Sequence, residues 1–158
     1  MKIYPLLFAI VALVGCAVGP LAPPFYEPLA PSEMSSAAHV VPTWELHPGF
    51  VADEVAWVTH VNGGQTWKGV LRNEYYTRTL DVRPGRQILT VMYVRGRVRV
   101  STDLPVTLSP GQTILVKYER PETTVMDMYA GKDHVDVWLE DRATGQALTG
   151  RESISIRY

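Results

Sequence analysis

Beyond Asp53 the chain shows no ten-residue stretch with an apolar period of 3.6. Apolar residues recur instead at every second position, and this limits the fold to strands. Val55, Trp57 and Val61 alternate with Glu54 and His60, and the run stops at the turn signal Asn62-Gly63-Gly64. Further alternating runs carry Tyr76, Leu80 and Val82, then Val98 and Val100, then Ile114, Val116 and Tyr118. The last two carry Val135, Val137 and Leu139, and finally Ile154, Ile156 and Tyr158. Residues 87–94 are apolar at both parities, which predicts a central strand buried on both faces. The expected fold is all-β, a small antiparallel sandwich of about seven strands occupying residues 53–158.

A weak internal repeat accompanies the alternation. Val82-Arg83-Pro84-Gly85-Arg86-Gln87-Ile88-Leu89 aligns with Leu108-Ser109-Pro110-Gly111-Gln112-Thr113-Ile114-Leu115. Both copies read strand, Pro-Gly, strand, and glycine after proline supplies the positive φ of a type II turn. Two copies are too few for a solenoid, so they are expected as two similar β-turn-β units of one sandwich.

The amino-terminal region has another character. After Lys2, residues 6–14 form an unbroken apolar run of nine, within the roughly 7–15 of a signal-peptide core and short of the roughly 20 of a membrane span. Leu13-Val14-Gly15-Cys16 follows, and Cys16 is the sole cysteine of the chain, so no intramolecular disulfide can form. This stretch resembles the lipobox of bacterial lipoproteins. The resemblance implies that residues 1–15 are a signal peptide and that Cys16 becomes the first residue, carrying a diacylglyceryl thioether and an amide-linked chain. Two or more acyl chains give stable membrane attachment where one gives only marginal binding. Ala17 stands where the family's sorting rule places an inner-membrane aspartate, which implies the outer membrane, facing the periplasm.

Residues 17–42 hold six of the twelve prolines: Pro20, Pro23, Pro24, Pro28, Pro31 and Pro42. Prolines remove backbone donors and fix φ, so residues 16–52 are expected as an extended tether in which neither helix nor central strand survives. Phe25, Tyr26, Leu29 and Trp44 are the apolar residues of that stretch with the means to dock.

A formal net charge of -1, which loss of Lys2 shifts to about -2 by subtraction, offers no basic face for nucleic acid. Hydrophobic residues at 46% and charged residues at 20% exclude a disordered chain. The strand ending at Asn62-Gly63 and the Pro-Gly turn into Ile88-Leu89-Thr90-Val91 are similar to PEGA-type and transthyretin-like modules of bacterial surface lipoproteins. Trp138 followed by Asp141-Arg142-Ala143-Thr144-Gly145 resembles the ending of such modules. The likeness spans about residues 55–146. It departs from the pattern at Asn62, where aspartate is usual, and in an insertion over residues 65–73. Those families carry no catalytic residues, so the resemblance implies fold and location alone.

No Gly-x-Ser-x-Gly, His-Glu-x-x-His, Cys-x-x-Cys or phosphate-binding glycine loop is present, and no cofactor is expected. Three constellations remain. Trp67, Tyr75 and Tyr76 flank an expected loop and are candidate anchors for a protein partner, while Trp57 belongs to the apolar set. Arg95, Arg97 and Arg99 read as one basic strand face, either a site for phosphate or lipopolysaccharide or a solvent face paired with carboxylates such as Asp136 or Glu140. His134, Asp136 and Glu140 share a strand face with Trp138. One strand cannot converge them on a metal without a second contributor such as His60.

The expectation is therefore a non-enzymatic binding or structural subunit of an envelope complex, held at the membrane through Cys16. One alternative is a periplasmic hydrolase or metal-binding domain using His60, His134 and Asp136. Another is a small outer-membrane barrel, suggested by the terminal Ile154-Ser155-Ile156-Arg157-Tyr158.

Overall fold

Two β-sheets face each other across a single apolar layer in the computed structural model, which describes residues 25–46, 53–67, 78–122, 126 and 130–157. The strands are β1 (Ala38–Val41), β2 (Thr43–Glu45), β3 (Glu54–Val61), β4 (Gly64–Gln65) and β5 (Leu80–Val82). They continue with β6 (Gly85–Arg95), β7 (Val98–Leu108), β8 (Thr113–Glu119), β9 (His134–Asp141) and β10 (Glu152–Ser155), and one 3-10 turn spans Met34–Ser36. One sheet runs β2-β3-β6-β7 with β4 also on β3, and the other runs β10-β9-β8-β1-β5. Among the described residues these strands pair antiparallel, except β1 with β8. Among the described residues both sheets are open, whereas a barrel needs one sheet closed on itself.

The alternation supplies the layer between them. Leu89, Val91 and Tyr93 of β6 face Ile114 and Val116 of β8 and Val135, Val137 and Leu139 of β9, all fully buried. Burying one Val, Leu or Ile side chain contributes about 1.5–3 kcal/mol. Leu89 and Leu104 are cross-strand partners of β6 and β7, and truncating either to alanine costs about 2–5 kcal/mol.

The strand covered on both faces is β3, not β6. Seven of its eight residues are buried, His60 being the exception. β6 alternates instead, and its Ile88 is 46% exposed. Residues 87–94 are apolar at both parities, yet only the parity of Leu89, Val91 and Tyr93 meets the opposite sheet. What covers a second face is set by the segments laid over it, which local sequence does not encode.

The Pro-Gly repeat forms two neighbouring sheet crossings. At Pro84-Gly85 the chain passes from β5 in one sheet to β6 in the other, and at Pro110-Gly111 it returns from β7 to β8. Gly85 and Gly111 take φ of 105° and 71°, and Gly85 pairs with Leu108, so the crossings lie side by side. Pro42 marks a third crossing, from β1 to β2, where the Thr43 hydroxyl donates to the Val116 carbonyl of the opposite sheet. A residue without an N–H cannot extend a ladder, which suits proline to the place where a strand leaves its sheet. Pro105 sits inside β7, and β7 is the last strand of its sheet.

Residues 38–45, read from the sequence as tether, belong to the sandwich. β1 lies between β8 and β5, with Ala38 and Val40 in the core. Between Pro31 and Pro42 the chain has ten residues free of proline, and Ala38-His39-Val40-Val41 alternates buried and half-buried like any strand. The segment before it is docked as well. The Tyr26 amide donates to the Gln65 carbonyl at 2.9 Å, and Phe25 bridges to Gln65 in parallel. A Cβ on Gly64 would come within 3.1 Å of the Tyr26 backbone, so glycine there permits the approach. The Arg83 guanidinium donates to both Glu33 carboxylate oxygens at 3.1 and 3.3 Å. That bond, with the Ala30 amide, holds the Glu33 carboxyl below its ordinary pKa.

The Asn62-Gly63 turn forms as expected, with positive φ at both residues, and closes the β3–β4 hairpin. Asn62 also donates from Nδ2 to Gln87 Oε1 at 2.6 Å and accepts from the Ile88 amide at 2.8 Å. Aspartate could not make the first bond, which gives the departure from the aspartate pattern a physical role. At the far end of β9, Asp141 Oδ1 accepts from the amides of Ala143 and Thr144, both at 2.9 Å, and Gln112 donates to Oδ2 at 2.7 Å. The bond from Gln112 and those from the turn lower the Asp141 pKa. The Asp-x-x-Thr-Gly ending is thus an Asx turn closing a loop.

Candidate functional site

Along the edge of β3 that faces away from β6, β2 pairs with residues 54–56 and β4 with residues 60–61. Thr66 stands against the stretch between them. Its amide donates to the Thr59 carbonyl at 2.9 Å, and its hydroxyl lies 3.0 Å from the carbonyls of Val58 and Thr59. The bulge between Val58 and His60 turns the strand here.

Beside Thr66 lies a pocket of about 350 Å³. Trp57 and Val58 of β3 form one wall, Val40 and Leu80 from the other sheet form a second, and Trp67 follows directly on Thr66. The docked amino-terminal segment contributes Tyr26, Leu29 and Met34. The pocket is therefore built from both sheets and from residues that the prolines seemed to set apart as tether. Its size lies at the lower end of the range for small-ligand sites.

The polar groups of the pocket gather at β5. Asp81 Oδ1 lies 2.7 Å from His39 Nδ1, and the two residues are cross-strand partners of β5 and β1. Arg78 and Thr79 are exposed at the same rim. An aromatic and aliphatic lining with a charged rim suits an apolar group that carries a polar or charged neighbour.

Trp67, expected as an anchor for a partner, lines this pocket and is half-buried. Tyr75 and Tyr76, named with it, lie outside the described residues, as does the lipidation candidate Cys16. Trp57 is 3% exposed, a wall residue of the scaffold. Tyr26, Leu29 and Leu80 were not singled out as site residues. Two of them sit in the proline-rich stretch, and only docking brings them to the pocket.

The arginines do not form one strand face. Arg95 ends β6, Arg97 lies in the turn that follows, and Arg99 is on β7. Gly96 takes a positive φ and reverses the chain, so the parity of Arg95 is not continued across the turn. Arg95 Nε lies 3.1 Å from Glu54 Oε1, its registered neighbour on β3, while Arg97 and Arg99 are exposed. The carboxylate that Arg95 meets is Glu54, not Asp136 or Glu140.

His134, Asp136, Trp138 and Glu140 do share the outer face of β9, with Val135, Val137 and Leu139 turned inward. Arg151 stacks over Trp138 at 4.2 Å and meets Glu119 at 2.5 Å, so Trp138 is covered by a cation. His60 is in the other sheet and does not join His134. Among the described residues no group of three His, Cys, Asp or Glu side chains is placed to hold a metal ion.

Comparison with known protein families, with curated proteins and with solved structures returned no match.

Proposed function

We propose that this chain is an outer-membrane-anchored periplasmic lipoprotein whose sandwich is a non-enzymatic binding subunit of an envelope complex. In this reading the pocket beside β3 accepts an apolar side chain of a protein partner. The observation that carries it is the pocket itself, where Trp57 and Trp67 stand with Leu29 and Leu80 beside β3. Binding energy in protein interfaces concentrates in a few aromatic contacts within such recesses. The membrane location rests on the order of apolar run, Gly15 and Cys16.

A photo-crosslinking residue in place of Trp67, in the lipidated full-length chain in intact envelopes, tests the pocket. The expected result is one discrete adduct that Leu80→Arg, which fills the pocket with charge, removes from protein whose circular dichroism shows that it is folded. Adducts that persist in a folded Leu80→Arg protein would place the partner elsewhere.

A further inference from the structure

The docked amino-terminal segment joins the sandwich at one end, beside the β3–β4 turn. Cys16 and Phe25 are nine residue steps apart, and a fully extended chain of that length spans at most ~30 Å. A tether running to residue 52 would have left the domain free to turn. One that ends at Phe25 delivers it by a defined end, because Phe25 bridges to Gln65 just after the β3–β4 turn.

That end also holds the Pro84-Gly85 and Pro110-Gly111 crossings and the Asp141–Gly145 turn, since Gly85 pairs with Leu108 and Ile114 pairs with Asp141. Two large apolar side chains are exposed there, Phe25 at 52% and Ile88 at 46%. The Ile88 amide donates to the Asn62 side chain, which places Ile88 at the same end of the sandwich as the β3–β4 turn. Arg86 lies two residues before Ile88 on the same outer face of β6, and Arg142 is exposed on the neighbouring loop. Apolar side chains flanked by cations suit the boundary between lipid headgroups and acyl chains.

We infer that this end, through Phe25, Ile88 and Arg86, rests on the phospholipid surface in which the chain is anchored. The opposite end, with the Gly96-Arg97 turn, then points away from the membrane. The inference rests on the lipoprotein reading of Cys16, and the experiment separates the two.

Acylation consumes the Cys16 thiol, so a new cysteine can be labelled alone. The full-length lipidated protein is prepared with Ile88→Cys or, separately, Arg97→Cys, each carrying an environment-sensitive fluorophore, in vesicles of phosphatidylethanolamine and phosphatidylglycerol. Both positions are exposed, and the melting temperature of each labelled protein confirms folding. The expected result is a blue-shifted label at position 88 that loses at least half its emission to headgroup-proximal spin-labelled lipid, with a label at 97 that is unaffected. A diacylated Cys16 by mass, with label 88 unquenched or with both labels quenched equally, overturns the orientation and leaves the anchor intact. An unacylated Cys16 on protein that washes from the vesicles overturns the anchor, and the orientation with it.

Discussion

Tyr93 of β6 and Tyr118 of β8 meet across the sandwich with ring centroids 5.2 Å apart and planes tilted by 58°. Their hydroxyls have opposite fates. That of Tyr93 donates to Glu54 Oε2 at 2.8 Å, whereas that of Tyr118 is buried with no hydrogen-bond partner among the described residues. Losing a hydrogen bond to a charged acceptor costs about 1.5–3 kcal/mol, while removing an unpaired buried hydroxyl is nearly neutral or stabilising. Tyr93→Phe is therefore expected to lower stability by about 2 kcal/mol, and Tyr118→Phe to leave it unchanged or raise it. Urea unfolding of both variants checks the contrast.

The same pair sets an alkaline limit. Burial, then the bond to Glu54, raises the Tyr93 pKa well above its ordinary value of 10, and burial with the charges of Glu45 and Glu54 raises that of Tyr118. A tyrosine raised in the folded state ionises first in the unfolded chain. Its stabilising contribution is whole below about pH 10 and declines as pH rises beyond it. The melting temperature should fall steeply above that pH, and less steeply in the Tyr118→Phe protein. A fall of equal slope in both would assign the alkaline transition to other groups.

Behind the tyrosines, Arg120 grips Asp133 through Nε at 3.3 Å and Nη2 at 2.6 Å, and the Asp133 side chain is fully buried. The Asp133 carbonyl also accepts from the Ile156 amide at 2.8 Å, tying the end of the chain to this point. Breaking a buried ion pair from one side costs about 3–5 kcal/mol because the other charge is left uncompensated. Arg120→Ala and Asp133→Ala should each lose about that much, and the double variant less than their sum. A double-mutant cycle by chemical denaturation measures it.

At Gly85 and Gly111 nothing lies within 4 Å of where a Cβ would be, so any cost of substitution there is backbone strain and not a clash. Alanine should cost about 1–2 kcal/mol at each site, and valine more because its β-branch resists positive φ. Equal melting temperatures for wild type, Gly85→Val and Gly111→Val would remove positive φ as the reason for these glycines.

Cys16→Ser removes the acylation site that the lipoprotein reading proposes. The variant should accumulate as an unprocessed precursor or leave the membrane fraction. Maturation to an unchanged mass with retention in membranes would disprove the lipobox reading. Mass spectrometry of fractionated envelopes decides it.

The sequence by itself determined the strand class, the inward parity of most strands and the turn positions. These are local properties: alternation follows from the two-residue period of extended backbone, and Asn-Gly and Pro-Gly follow from the φ they accept. The tertiary structure alone decided what lies over each strand and which segments meet. It buried β3 on both faces and left β6 buried on one, a difference that composition does not carry. It drew Tyr26, Leu29 and β1 out of the proline-rich stretch, because docking depends on a surface assembled from distant residues. It separated Arg95 from Arg97 and Arg99 by a turn of one positive-φ glycine, and it gave Trp67 a pocket to line. Prolines report where a ladder ends, but whether the chain then leaves the domain or crosses to the other sheet is settled by the apolar surface waiting there.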